Sequence, residues 1–171
     1  MIETILQGKI RIKLLTRLLL NPSNQVYLRG LEREFGVSSN TVRLELNKLH
    51  DLNLIQVVDD GHVKKYTANT NHELFQGLRG YIFKQIGLDS LLESVFERLG
   101  ELEAVYLTND WANGKESPII DFVVVGNIDK IYMMTLIDKA EKVIGRKIRV
   151  AVYGSDFEVQ QLFDVPAVRL V

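Results

Sequence analysis

Residues 27–43 read YLRGLEREFGVSSNTVR. Leu28, Leu31 and Phe35 recur at helical spacing, which predicts a short helix over 28–35. Gly36 follows at the place where helices commonly end in a left-handed residue. A serine at 38 or 39 then stands where a hydroxyl can cap the free N–H groups of a second helix. Val42, Leu46 and Leu49 form one apolar stripe of that helix, which is expected to reach about Leu52. Its other side presents Ser39, Asn40, Thr41, Arg43, Asn47 and Lys48.

Working outward, residues 9–21 alternate Ile10, Leu14, Leu18 and Ile12, Leu15, Leu19 with basic residues, the pattern of an amphipathic helix. Asn21-Pro22-Ser23-Asn24 stops it. On the other side, residues 54–58 and 63–67 are β-prone and flank Asp59-Asp60-Gly61-His62. An Asp-Gly pair between two such runs predicts a hairpin, because glycine accepts the positive φ of a tight turn.

Downstream, helical patterns are expected over 73–86 and 90–99, and strands over 103–108 and 120–126. A helix over 129–144 stopped by Gly145, a strand over 147–153 and a last short helix near 156–163 follow. The helix at 73–86 is read as a connecting segment. It offers part of a dimer seam, or equally packs between two domains of one chain. The expected organisation is a first domain over 1–72, a connecting helix over 73–89 and a second domain over 90–171, in an α+β fold.

Helix, helix, capped helix and hairpin within the first seventy residues is the order of a winged helix-turn-helix. The stretch 27–43 resembles the helix-turn-helix of MarR/ArsR-type transcriptional regulators. Leu49-His50-Asp51-Leu52-Asn53-Leu54-Ile55 is similar to the L-x-x-x-G-L-I link into their wing, with Asn53 in the place of glycine. Asparagine also accepts the left-handed conformation, so the exchange is tolerable. A helix of this kind fits the major groove of double-stranded DNA with its N-terminal polar residues on base edges. Arg43 suits guanine and Asn40 or Asn47 suits adenine; Lys48 is a phosphate candidate. In the wing, Lys64 and Lys65 flank a tip whose His62 is placed to approach the backbone or the minor groove. The same module also serves elsewhere for protein docking.

The charge balance accords with this reading. Residues 1–72 hold ten Lys/Arg against seven Asp/Glu, and residues 73–171 hold eleven against fifteen, so a net +3 and −4 lie behind the overall −1. The 171 residues are 46% hydrophobic and 25% charged, an ordinary globular profile. The absence of cysteine excludes disulfides and cysteine-ligated metals. No apolar core follows a basic start, so no signal peptide is expected, and a cytoplasmic protein without membrane contact is the expectation.

The second half contains TNDWANGKESPIIDFVVVG, residues 108–126. This loop and strand resemble the core of the minimal nucleotidyltransferase domain of the polymerase-β superfamily. That family has Gly-Ser, x-Ala-Arg-Gly and then Asp-x-Asp entering a hydrophobic strand. Ala112-Asn113-Gly114 falls at Ala-Arg-Gly, Asn109-Asp110 at Gly-Ser, and Ile119-Ile120-Asp121 at Asp-x-Asp. Two aspartates two apart on a strand share one side and hold divalent ions there. Here isoleucine replaces the first, and it offers no oxygen to a hard cation. The later strand carries Lys147 and Arg149 and no carboxylate. No catalytic residue, metal ligand or cofactor is therefore expected. Asp121 is read as a structural residue at the strand's start, and Trp111 as a loop anchor, with stacking on a ligand as the alternative. His50, His62 and His72 show no metal-ligand spacing.

Two functions follow as expectations. The first is a sequence-specific, dimeric DNA-binding transcriptional regulator. Its second domain is a catalytically degenerate transferase fold used for sensing a small-molecule or protein effector, for dimerisation or for partner contact. The second is an active Mg-dependent nucleotidyltransferase that docks its substrate with the winged helix.

Overall fold

The computed structural model describes residues 2–158 and 164–171. The chain is α+β and divides into two compact units, Met1–Ile82 and Phe83–Val171. The division falls inside one helix.

The first unit opens with α1 (Ile2–Ile5) and α2 (Lys9–Leu19), followed by a two-residue strand β1 (Val26–Tyr27). Next come α3 (Leu28–Phe35) and α4 (Ser39–Asp51), and then β2 (Ile55–Asp59) and β3 (Lys64–Ala68). The three strands form an antiparallel sheet in the order β1-β3-β2. The apolar stripes seen in the sequence become the core: Leu14, Leu15 and Leu18 of α2, Leu31 of α3, and Val42, Leu46 and Leu49 of α4 are all at most 1% exposed. Two cross-helix ion pairs add to this packing. Arg11 Nε lies 2.7 Å from Glu45 and ties α2 to α4; Arg17 Nε lies 3.2 Å from Glu34 and ties α2 to α3.

Local chemistry sets the element ends. Gly36 takes φ 63° and closes α3. Ser38, the first of the two candidate serines, caps α4 by accepting from the Thr41 N–H at 3.2 Å. Asn53 takes φ 57°, the left-handed conformation expected of it. The β2–β3 turn runs through Asp60–Val63, with Gly61 at φ 90°. These strands begin one residue later than the spacing predicts.

Helix α5 (Phe75–Ile86) carries the unit boundary. Its Arg79 donates to the carbonyls of Leu19 and Leu20 at the end of α2. There the guanidinium serves as a C-terminal cap within the first unit.

The second unit contains α6 (Leu88–Ser94), a 3₁₀ turn (Phe96–Arg98), β4 (Glu101–Thr108) and α7 (Asn109–Ala112). It continues with β5 (Ile119–Asn127), α8 (Lys130–Ile144), β6 (Lys147–Tyr153) and β7 (Ala167–Arg169). The sheet order is β6-β5-β4-β7, with β5 and β6 parallel and the other pairs antiparallel. Helix α8 is the crossover that a parallel pair requires. Phe96 packs edge-on against Phe122 of β5 at 5.0 Å, anchoring the 3₁₀ turn to one sheet face. On the other face Ala104, Tyr106, Val123 and Val125 form a cluster closed by Phe157.

Three expectations need correction. The single helix over 90–99 is two pieces, α6 and the 3₁₀ turn, which meet at Val95 with φ −112° and ψ −68°. The stretch 109–112, expected as loop, is a short helix, whose first residue Asn109 takes φ 59°. The helix expected near 156–163 lies partly outside the described residues, and residues 156–158 are not helical. No helix among the described residues is long and apolar enough to cross a membrane.

Candidate functional site

Two surfaces collect the residues that the sequence singles out. The first is the outer side of α4. Asn40, Thr41, Arg43, Asn47 and Lys48 are all exposed, while Ser39 is half-buried. Asn40, Arg43 and Asn47 lie three and four positions apart, so they share one stripe of the helix. None of the three makes a side-chain hydrogen bond or ion pair among the described residues. Thr41 differs: its hydroxyl lies 2.9 Å from that of Ser38 and belongs to the cap. Leu44, 51% exposed, sits within the same surface, an apolar element that the polar reading of this face omitted.

The basic residues divide into held and unheld. Lys48 Nζ lies 3.2 Å from Glu45, which also binds Arg11. Burial alone would push the Glu45 carboxyl up, but the hydrogen bonds from Arg11 and Lys48 outweigh it and hold the carboxyl below its ordinary range. Lys65 is half-buried, 3.4 Å from Asp60 and above the Tyr27 ring. Its pKa is raised, first by the charge of Tyr27 and then by its hydrogen bond to Asp60. Lys64 is exposed, and as the preceding strand residue it points to the opposite face from Lys65. The two lysines therefore do not act as one cationic pair.

The hairpin tip is more acidic than the Lys64/Lys65 reading implies. Asp59 accepts from the Gly61 N–H, and Asp60 from the N–H groups of His62 and Val63. These backbone donors, Val63 first, lower the Asp60 pKa and keep the carboxylate ionised. His62 is exposed beside them. Over residues 59–65 two carboxylates balance two lysines, so the hairpin carries no net positive charge with histidine neutral. The exposed Arg29 and Arg33, one turn apart on α3, are cations that the motif reading passed over. Their i, i+4 spacing was the available signal.

The second surface is the start of β5. Asp121 is its third residue, and the register sets Asp121 between Thr108 of β4 and Arg149 of β6. Arg149 grips the carboxylate with both arms: Nε to Oδ1 at 2.6 Å and Nη2 to Oδ2 at 3.1 Å. This bond raises the Arg149 pKa. Both oxygens of Asp121 are thus committed to a guanidinium in a bidentate fork. Ile119 lies on the same strand face, opposite Lys147. Asp110 is exposed on α7, where its carbonyl, rather than its carboxylate, accepts from the Lys115 N–H. Asn109 is exposed, and its N–H donates to the Pro166 carbonyl. Gly114 is buried in the turn after α7. Trp111 is a loop anchor: it is 2% exposed, its indole N–H donates to the Ser117 carbonyl at 3.0 Å, and Arg146 stacks on it. No group of three or more His, Asp or Glu able to hold a metal ion occurs among the described residues.

No protein-family model, curated protein or solved structure matches this chain. Any functional reading therefore rests on these two surfaces.

Proposed function

We propose that the chain is a sequence-specific DNA-binding transcriptional regulator of the cytoplasm that acts as a homodimer. In this reading the first seventy residues are a winged helix-turn-helix resembling MarR/ArsR-type regulators, with α4 as the recognition helix. The second unit is a catalytically degenerate, nucleotidyltransferase-like domain kept for sensing an effector, for dimerisation or for partner contact.

One observation carries the reading. The outer side of α4 presents Asn40, Arg43 and Asn47, exposed and without side-chain partners among the described residues, on a helix whose other side is locked by residues at 0% exposure. A rigid helix with such donors and acceptors is what the major groove accepts, with arginine suited to guanine and asparagine to adenine. Arg29 and Arg33 add cations for phosphates on the preceding helix. The acidic tip moves the expected wing contribution onto Lys64 and away from Lys65 and His62.

The Asp121–Arg149 pair supports the non-catalytic half of the proposal. Two-metal phosphoryl transfer needs several carboxylate oxygens converging on divalent ions. The corresponding face here offers one carboxylate, already neutralised by a guanidinium, beside Ile119 and Lys147. These donors do not fit a pair of hard cations.

Selection of genomic fragments on the immobilised protein, with sequencing of those retained, tests the proposal. A shared motif among retained fragments, lost in the Arg43→Ala variant, is expected. Retention without a motif, or Mg²⁺-dependent nucleotide transfer abolished by Asp121→Ala, would overturn it.

A further inference from the structure

Among the described residues, β6 has a neighbour on one side only. The Lys147 N–H donates toward β5, to the Pro118 carbonyl. Alternate residues of a parallel strand turn their backbone groups the same way, so those of Arg149, Ala151 and Tyr153 follow. The groups of Ile148, Val150 and Val152 turn outward. The Ile148 N–H is already taken, at 2.8 Å, by the Glu141 carboxylate of α8. Among the described residues Val150 and Val152 are left with open donors and acceptors, beside a groove of about 350 Å³. Met133, Met134 and Ile137 line it from α8, together with the β6 valines and Ile148. Met134 is 63% exposed at its rim.

We propose that this edge is a homodimer interface. In it β6 pairs antiparallel with β6 of a second copy, about a two-fold axis at Ala151, making one continuous sheet. The strand is self-complementary in that register. Val150 lies opposite the partner's Val152, so each pair exchanges two hydrogen bonds and all four open N–H groups are satisfied. The Glu141 bond to Ile148 stays intact. Ala151 meets the partner's Ala151 at a non-hydrogen-bonded position, where the backbones approach most closely and a methyl group suits. Arg149 lies opposite the partner's Tyr153, a cation facing an aromatic ring. Moving the axis to Arg149 would set two guanidinium groups against each other. Moving it to Val150 would require the Ile148 N–H to leave Glu141.

Helix α8 supplies independent complementarity. It runs opposite to β6, with Glu141 level with Ile148. From Ile148 to Ala151 the strand advances about 10 Å, the rise of about seven helical residues. Met134 therefore stands level with the axis and meets the partner's Met134 across the groove. Lys130, four residues before it, meets the partner's Asp138, four residues after it. Lys130 and Asp138 are both exposed, and both line the groove. An apolar centre flanked by two symmetric opposite-charge pairs makes a second copy of this chain the occupant of the groove.

Sedimentation equilibrium of the full chain tests this. The wild type is expected at twice the 19.5 kDa of one chain. Val150→Pro removes an outward N–H without touching the β5 ladder and should give single chains. Lys130→Glu should weaken the dimer on the order of tenfold or more, and Lys130→Glu with Asp138→Lys should restore it. If circular dichroism shows Val150→Pro unfolded, the charge exchange alone decides. Wild type sedimenting as one chain, including a wild type that instead captures an extended peptide on this edge, overturns the interface. So does a double variant that associates no better than Lys130→Glu. The inference concerns the second unit alone. A chain that dimerises in this way yet selects no DNA motif would leave it standing and remove the reading of α4.

Discussion

Replacing Arg43 by alanine should weaken binding to the selected DNA site by about 5- to 150-fold, the range for losing one arginine–guanine contact. It should also relax the preference at one base pair. Arg43 is exposed and has no side-chain partner among the described residues, so no contact described there must be broken for it to reach a base. Lys48, five residues further on, starts from the Glu45 carboxylate, and its approach to a phosphate sacrifices that contact. Lys48→Ala should therefore weaken all sequences alike, by less than the full effect of one phosphate contact. Glu45→Gln keeps the shape of the side chain while releasing Lys48. It should steepen the dependence of log K on log salt by about one ion. Fluorescence anisotropy of labelled duplexes, titrated at several salt concentrations, reads all three variants. An Arg43→Ala protein that binds every sequence as the wild type does would refute the assignment of α4. A Lys48→Ala protein with altered base preference would refute the division of labour between the two residues.

Asn53 occupies the left-handed region, where a β-branched side chain is strained. Asn53→Val should cost about 1–2 kcal/mol, lowering Tm by roughly 5–10 °C in calorimetry, whereas Asn53→Gly should not lower it. An unchanged Tm for the valine variant would contradict the φ assignment. Because the folded pKa of Glu45 lies below its unfolded value, its contribution to stability is present above the unfolded pKa and disappears as pH falls through the folded one. Urea midpoints of wild type and Glu45→Gln should differ near neutral pH and converge in acid; a gap that widens on acidification would reverse the sign. Finally, Ile119→Asp combined with Arg149→Glu places three carboxylates on adjacent positions of β5 and β6. That variant should bind Mn²⁺ with Kd on the order of millimolar or tighter, read by electron paramagnetic resonance. Arg149→Ala alone, leaving one carboxylate, should not gain such a site.

Local chemistry determined what the sequence could declare by itself. The helix periods of α2, α3 and α4, the Ser38 cap, the turn at Gly61 and the left-handed Asn53 each depend on a few consecutive residues, and each stands where those residues place it. The outward polar face of α4 follows from the same periodicity, because burying Val42, Leu46 and Leu49 forces Asn40, Arg43 and Asn47 into solvent. Strands of two and three residues, β1 and β7, are too short to show a period, so only their pairing defines them. Tertiary structure alone decided which charges are available. Lys65 is spent on Asp60 and Tyr27, Lys48 shares Glu45 with Arg11, which lies 34 positions from that carboxylate, and Arg149 reaches Asp121 across 28. Whether a carboxylate faces a cation, a metal or water is set by strand register, which arises from the packing of the whole sheet and leaves no trace in a local window. The edge of β6 has the same origin: each residue of that strand reads as ordinary, and only the sheet order leaves its outer side without a neighbouring strand among the described residues.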